Sequence, residues 1–255
     1  MFLGLSVTNT GVFMRVYARY FESDGIEYRM DTLLQFGDSW ELIGNIVLAN
    51  PGSAAPARRI ADDERKLVET FWEEYRKTQY FDQSDWFAFD VDPTMQRIEK
   101  IFNGWYVDQT DTLRLDGVIQ LFNVFNIKNQ NLSEAIDAIN SVDAESELLF
   151  SKGAHNYFDD KPTYFGFSSK VMSDSRLLSV AKAIFDNSSE AIKSIYNGDF
   201  EKNNFYHPTF VSRAHKQSFF TEEKKLLAKL KHHVFAQMLA TKLINLGYIC
   251  PLYNG

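Results

Sequence analysis

Two asparagines and one histidine stand at positions where polar side chains can do chemistry. Asn50 follows an apolar run, Asn123 ends another, and His207 directly precedes Pro208. An amide can orient a water molecule or pair with the edge of a nucleobase. A histidine held in an extended or turn geometry by the next proline can donate to an oxygen that gains negative charge. We therefore take Asn50 and His207 as candidate catalytic residues and Asn123 as a candidate ligand-binding residue.

The residues around this trio indicate how a ligand would be held. A proline and a glycine after Asn50 force a tight turn, so backbone N–H groups around Pro51, Gly52 and Ser53 can point into a cleft. Arg213 and Lys216 follow His207 within reach of a phosphate. Structural roles stay open beside the functional ones, because Asn50 also suits a turn, Asn123 a strand-end cap and His207 a surface position.

Strands alternate with helices over most of the chain, and this alternation predicts the elements that position these residues. We expect strands at Val12–Phe21, Tyr28–Phe36, Ile43–Ala49, Val118–Phe125, Pro162–Phe167 and Asn204–Tyr206. We expect helices at Asp62–Thr78, Pro93–Phe102, Ser133–Phe150, Ser173–Phe185 and Glu222–Leu246, with Ser133 as a cap and Gly247 ending the last one.

These elements predict an α/β fold, a three-layer α/β/α sandwich with a mostly parallel central sheet. The first two strands are expected to form an antiparallel hairpin or an edge extension, with Ser23-Asp24-Gly25 in the turn. No linker divides the chain, so we expect one domain over 1–255, with 1–40 as a β extension and 222–246 as the final helix. Ligands of such sheets bind beyond the carboxyl ends of the strands, where the polar residues above are placed.

Several other chemistries have no support in the sequence. There is no P-loop, GxGxxG or GxSxG motif, and the lone Cys250 has no histidine near it in sequence. His232 and His233 face apart on a helix, which is poor geometry for a metal. Acidic residues cluster around Trp86 in the segment 80–92, where a polar loop carrying a helix cap is favoured over a Mg²⁺ site. We therefore expect no metal and no cofactor.

Charge and composition limit the partners and the compartment. The net charge is −7, yet the stretch from Glu201 onward has eight Lys or Arg against three Glu. A basic face on an acidic protein is therefore one interpretation, and a solvated helix is the other. A single cysteine, no secretory signal and no long apolar run predict a cytoplasmic protein without membrane contact. The overall acidity counts against non-specific binding to DNA, and the oligomeric state is undetermined.

Three ordered motifs resemble the uracil-DNA glycosylase superfamily. Leu48-Ala49-Asn50-Pro51-Gly52 is similar to the Gly-Ile-Asn-Pro-Gly motif of the mismatch-specific uracil/thymine branch. Gly117–Asn123 resembles a strand whose final asparagine reads the edge of uracil, with one extra residue in the spacing. His207-Pro208-Thr209 is similar to the last motif of the family, His-Pro-Ser or Asn-Pro-Ser, with Arg213 further along the loop that enters the minor groove. The motifs cover the chain from about Leu42 to Arg213.

A second resemblance is to an uncharacterised bacterial family related to the same fold. Its pattern joins Asn-Pro-Ser/Gly-x-Ala to Asp-x-Thr-x-x-Arg and to an apolar strand ending in Asn-x-Phe. Asp92-Pro93-Thr94-Met95-Gln96-Arg97 and Asn123-Val124-Phe125 fit the second and third elements. No activity is carried over from that family.

The first resemblance implies hydrolysis of the bond between a flipped base and its sugar, a DNA-repair activity. Asn50 would position water, Asn123 would read the base, His207 would stabilise charge on the departing base, and Arg213 and Lys216 would hold phosphate. This sequence departs from the family because no aspartate stands at the water-activating position and Ser53–Arg59 offers no stacking aromatic. A catalytically inactive nucleotide- or nucleic-acid-binding protein of the same fold is the alternative. An interaction module that uses the basic last helix is a third.

Overall fold

An antiparallel hairpin forms the centre of the sheet. The computed structural model describes residues 13–76, 85–142 and 148–246. The hairpin consists of β1 (Met14–Ser23) and β2 (Ile26–Phe36), paired antiparallel. Asp24 and Gly25 link them with φ angles of 53° and 76°. Positive φ at both central residues matches the right-handed twist of the strands, so the predicted hairpin and its turn are confirmed.

The other strands are β3 (Leu42–Leu48), β4 (Pro56–Arg59), β5 (Trp86–Phe89), β6 (Gly117–Asn123) and β7 (Thr163–Phe165). They complete a seven-stranded sheet of order β4-β5-β1-β2-β6-β3-β7. Only the β6–β3 and β3–β7 pairs are parallel, whereas the other four pairs are antiparallel. The sheet is therefore mixed, and the prediction of a mostly parallel sheet is wrong.

The antiparallel half has a physical reason. A two-residue turn can join only antiparallel strands, and β1 in turn pairs antiparallel with β5 on its other side. The sequence analysis assigned no strand to β4 and placed β5 in a polar, acidic loop. Both strands are four residues long, so neither is long enough to show a clear alternation of apolar and polar residues. Residues 80–84 of that predicted loop lie outside the described residues.

Eight α-helices occur in the described residues. They are α1 (Asp62–Arg76), α2 (Pro93–Phe102), α3 (Leu132–Ala138), α4 (Ser169–Ser173), α5 (Ser175–Asp186), α6 (Glu190–Lys193), α7 (Pro208–Ala214) and α8 (Thr221–Asn245). Short 3-10 turns lie at Ile139–Ser141, Ala154–Tyr157, Phe200–Lys202 and Ser218–Phe220. The bounds of α2 are as predicted, and those of α5 and α8 differ at their ends. Helix α1 begins at Asp62 as predicted, and the last two positions of its prediction, 77 and 78, lie outside the described residues, as does Gly247.

Helices cover both faces of the sheet. On one face α2 approaches so closely that a Cβ added to Gly44 of β3 would lie 2.5 Å from Phe102 Cε1. On the other face Val68 and Phe71 of α1 form a buried cluster with Leu33 of β2 and Val118 of β6. This arrangement is an α/β fold and is compatible with a three-layer sandwich. We call the side covered by α2 the α2 face.

Two predicted elements differ from the structure. Asn204–Tyr206 is irregular instead of a strand, and the carbonyl of Tyr206 accepts a hydrogen bond from the Tyr164 hydroxyl at 2.7 Å. The helix predicted over Ser133–Phe150 ends early, because after α3 and its 3-10 extension the chain returns to bridge Phe150 to Phe125. Asn131 caps α3, in place of Ser133, by accepting the Ser133 N–H at 3.0 Å. Residues 143–147 of that segment lie outside the described residues.

Candidate functional site

The parallel pair β3–β6 brings Asn50 and Asn123 to the same edge of the sheet. Leu48 at the end of β3 is in register with Asn123 at the end of β6. Beyond the strands the pairing continues, because Val124 N–H donates to Leu48 O at 2.7 Å and Phe125 N–H donates to Ala49 O at 3.1 Å. The chain leaves β3 as the Asn50–Ser53 turn directly beside this point. Parallel register is therefore what sets the two amides side by side.

The amide of Asn50 is oriented by main-chain carbonyls. Its Nδ2 donates to Asn129 O at 2.8 Å and lies 3.5 Å from Ile127 O. Its Oδ1 makes no hydrogen bond to any described residue. Gly52, with φ of 70° and open space around it, allows the reversal of the turn. Asn50 consequently presents an acceptor oxygen whose orientation is fixed by the anchored nitrogen.

Asn123 is buried and has no hydrogen-bond partner. The residue is 1% exposed, and neither its Oδ1 nor its Nδ2 bonds to any described residue. A buried amide without partners is unfavourable by a few kcal/mol, so such a group needs a specific explanation. A ligand whose edge carries both a donor and an acceptor would satisfy both atoms.

His207 is the N-cap of α7, and Pro208 occupies the first helical position. Its Nδ1 accepts the Thr209 backbone N–H at 3.2 Å, which places the ring proton of neutral imidazole on Nε2. Burial, supported by the positive charges of Arg97 and Arg213, lowers the pKa of His207 to about 4, although Asp92 opposes the shift. At neutral pH the residue is therefore an uncharged Nε2–H donor.

Packing behind His207 fixes its place relative to β3 and β7. A Cβ added to Gly166, just after β7, would lie 2.7 Å from Leu48 Cδ2 and 3.2 Å from Pro208 Cδ. Only glycine allows the end of β7 to approach both segments this closely. The Tyr164 hydroxyl, which donates to Tyr206 O, holds the chain immediately before His207.

Asp92 is a residue of the site that the sequence analysis did not select, although it placed Asp92 at a helix cap and in the motif of the second resemblance. It does cap α2, since its Oδ1 accepts the Met95 N–H at 2.8 Å, with Pro93 at the start of the helix. The same residue also lines the cleft described below. The sequence held a signal for it, because Asp92-Pro93 repeats the polar-residue–proline arrangement of His207-Pro208.

Arg29 is a second residue that the sequence analysis missed. Arg29 is 2% exposed, and its Nη2 donates to Pro51 O in the turn after β3. The guanidinium carbon lies 5.5 Å from the centre of the Phe89 ring. A pattern of alternating residues would have placed Arg29 on the opposite face, so no simple sequence signal could have found it.

One cleft collects most of these groups. It has a volume of about 410 Å³, which is in the range of ligand pockets. Six of the eight predicted site residues line it, namely Asn50, Pro51, Gly52, Ser53, Asn123 and His207. Arg29 and Asp92 complete its polar wall, and Leu121 and Met95 are among its apolar residues. Among the described residues that line the cleft there is no Phe, Tyr or Trp.

Arg213 and Lys216 do not line the cleft. Both are exposed, Arg213 on α7 and Lys216 just after it. Arg213 and Arg97 lie close enough to His207 to lower its pKa. Neither arginine forms an ion pair with a described residue. Arg97 and Arg213 therefore place positive charge beside the cleft that no described carboxylate pairs with.

Comparisons with family models, curated proteins and solved structures find no match for this chain. In the part of the chain that the structure describes, no helix is long and apolar enough to cross a membrane. The same residues contain no group of three or more His, Cys, Asp or Glu side chains placed to hold a metal ion. The resemblance to the uracil-DNA glycosylase superfamily thus stays a hypothesis based on the three motifs.

Proposed function

We propose that this protein hydrolyses the N-glycosidic bond of a base flipped out of DNA, on a uracil-DNA glycosylase-like fold. One observation carries the proposal. Two amides, Asn50 with its nitrogen anchored and Asn123 with both polar atoms unpartnered, line the same cleft from adjacent parallel strand ends. The first arrangement suits a water molecule, and the second suits the donor and acceptor edge of a nucleobase.

Asn50 and Asp92 would activate the water. The free Oδ1 of Asn50 can accept a hydrogen bond from water, and the Oδ2 of Asp92 has no hydrogen bond to a described residue. A carboxylate can take a proton from water as the oxygen attacks the sugar carbon. Asp92 would thus supply the carboxylate that the sequence comparison found missing.

His207 would assist the departure of the base. Because its pKa is lowered to about 4, the neutral ring donates from Nε2 without first losing a proton. A donor aimed at an oxygen of the base stabilises the negative charge that develops there as the bond to the sugar breaks. The ring proton of neutral His207 cannot be on Nδ1, since that atom accepts the Thr209 N–H.

The surface beside His207 supports DNA as the substrate. Tyr206 and Phe210 stack with ring centres 4.8 Å apart and planes 16° apart, and Phe219 is 63% exposed nearby. Of these rings Phe210 and Phe219 are exposed, and exposed rings together with cations are the components with which proteins hold single-stranded nucleic acid. The cations Arg97 and Arg213 would contact backbone phosphates.

Binding without turnover is the second candidate function. The described lining has no aromatic ring on which a flipped base could stack, and one oxygen of Asp92 is already engaged as a helix cap. Both observations favour a protein that holds a nucleotide or a nucleic acid in the same cleft. Binding without turnover differs from hydrolysis in one measurable respect, because only hydrolysis releases free base.

Base excision from labelled oligonucleotides tests the proposal. The panel contains uracil, hypoxanthine and mismatched thymine in single and double strands, with Asn50→Ala and His207→Ala as cleft variants. Asn187→Ala and His232→Ala remove the same groups from exposed positions and serve as controls. We expect alkali-cleavable abasic sites from the wild type and both controls, and a loss of about 100-fold or more in each cleft variant.

Two results would decide against hydrolysis. Excision on no member of the panel by folded protein refutes it, and oligonucleotide binding that survives in that experiment favours the second candidate. Excision that the cleft variants retain in full would place the activity outside this cleft. Circular dichroism of each variant shows whether a lost activity reflects chemistry or unfolding.

A further inference from the structure

Arg29 presents a buried positive charge that forms no ion pair with an acidic side chain in the described part of the chain. Its Nη2 donates to Pro51 O, whereas Nε and Nη1 have no partner among the described residues. Among the residues that the structure describes, no carboxylate lies within ion-pair distance of the Arg29 guanidinium. Asp92 is near enough to favour the charged form of Arg29 but makes no ion pair with it, and the Oδ1 of Asp92 accepts the Met95 N–H. Arg29 nevertheless lines the cleft.

Arg76 shows how the protein itself neutralises a buried arginine, although its Nε, like that of Arg29, has no partner among the described residues. Its Nη2 lies 3.1 Å from Asp31 Oδ1. The rings of Trp72, Phe122 and Tyr157 lie 4.1–4.9 Å from its guanidinium carbon. Within the described ranges, Arg29 has one ring contact, at 5.5 Å from Phe89, and no ion pair. A buried charge without a counter-charge is strongly unfavourable, so the difference calls for a ligand.

A bulge in β2 aims Arg29 into the cleft. Between the pairs Tyr17↔Leu33 and Arg19↔Met30, β2 has one residue more than β1. Asp31, inside this bulge, has a left-handed φ of 54°. The extra residue reverses the alternation, so that Arg29 shares the α2 face with Leu34 instead of the opposite face. Bulges of this kind often redirect a side chain beside a functional site.

The other unpartnered group in the cleft limits the shape of the ligand. Asn123 offers a planar amide with one acceptor and two donors, all unused. It belongs to the β6 edge, and Arg29 belongs to β2, the strand that pairs with β6. An amide and a guanidinium on neighbouring strands suit a flat ring that has an N–H and C=O edge and also carries negative charge.

We propose that Arg29 and Asn123 together recognise a nucleobase in its anionic form, with Asn123 reading the amide edge and Arg29 pairing with the charge. The inference rests on the proposed function, because a base that leaves its sugar with the bonding electron pair is such an anion. It adds a residue that lies outside the three motifs. It also predicts a property that free bases can report without any turnover.

Binding of two free bases at pH 8 tests this inference by calorimetry. The probes are 5-nitrouracil, whose ring is an anion at that pH, and uracil, which is neutral. We expect wild-type protein to bind 5-nitrouracil about tenfold or more tightly than uracil, since hydrogen bonds to charged groups are the stronger kind. In Arg29→Gln this preference should disappear, and Arg29→Lys should keep part of it because the charge remains.

Controls separate the inference from folding and from the proposed function. Arg114→Gln removes an equal charge from an exposed position and should leave the preference unchanged. Equal affinity for both bases, no binding of 5-nitrouracil by the wild type, or a preference that persists in Arg29→Gln overturns the inference. Inorganic phosphate that binds through Arg29 while neither base binds also overturns it. If the protein prefers the anionic base but excises no base, the inference stands and hydrolysis is refuted. If it excises a base without preferring the anionic form, hydrolysis stands and the inference is refuted.

Discussion

Replacing Glu223 by glutamine should change how the free energy of unfolding depends on pH. Glu223 on α8 is buried, and its Oε1 lies 2.8 Å from the Tyr164 hydroxyl, which also lies 2.7 Å from Tyr206 O. Burial raises the pKa of Glu223 from 4.5 to about 7, although the hydrogen bond from Tyr164 opposes the shift. When Glu223 is protonated it can donate to the Tyr164 oxygen, leaving the Tyr164 proton for Tyr206 O.

The direction of this pH dependence follows from whether the folded or the unfolded state holds the Glu223 proton. Between pH 4.5 and about 7 the unfolded chain has lost the Glu223 proton and the folded protein keeps it, so this residue lowers stability as pH rises. The full change is about 3 kcal/mol, at roughly 1.4 kcal/mol for each unit of pKa. His207 acts in the opposite sense, because its folded pKa of about 4 lies below its usual 6.5. In the wild type the two contributions largely cancel.

Urea unfolding of Glu223→Gln and wild type from pH 4.5 to 8 measures the effect. Relative to wild type, the unfolding free energy of the variant should rise by about 3 kcal/mol between pH 4.5 and 7 and stay level above it. Glu222→Gln changes the neighbouring exposed residue and should show no such trend. A difference between Glu223→Gln and wild type that is constant across this range would refute the assignment of a raised pKa to Glu223.

Two further substitutions test the packing that positions the cleft. Gly166→Ala should lower the unfolding free energy by about 1–3 kcal/mol, since its Cβ would lie 2.7 Å from Leu48. Gly153→Ala, with 3.4 Å to the nearest atom, is its control, and equal unfolding midpoints for the two would contradict the prediction. Arg76→Ala should destabilise by about 3–5 kcal/mol, whereas Asp38→Ala, which removes the exposed partner of Arg15, should change stability by less than about 1 kcal/mol. Chemical denaturation measures both, and similar losses would show that burial of Arg76 carries no weight.

Local sequence signals were enough to predict part of the fold and six of the residues that line the cleft. A proline after a capping residue set the start of α2, and Asp24-Gly25 set the hairpin. Asn50 and Asn123 were predicted together because both follow apolar runs, and parallel register does bring them to one edge.

The features that were missed depend on pairing between distant strands. Nothing local in the hairpin states that β2 pairs with β6, the contact that makes the sheet mixed. Arg29 reaches the cleft only through the one-residue bulge at Asp31, which is visible in the register and not in the alternation. The placement of Asp92 in the cleft likewise required the packing of α2 against the sheet.

Mass spectrometry of a uracil-containing oligonucleotide incubated with the protein in heavy-oxygen water tests the central claim most directly. If the cleft hydrolyses the glycosidic bond, free uracil appears and the oligonucleotide becomes an abasic strand with one heavy oxygen at the sugar. Asn50→Ala should leave the strand intact. An unchanged mass after long incubation with an excess of folded wild-type protein, for every base in the panel, would contradict hydrolysis.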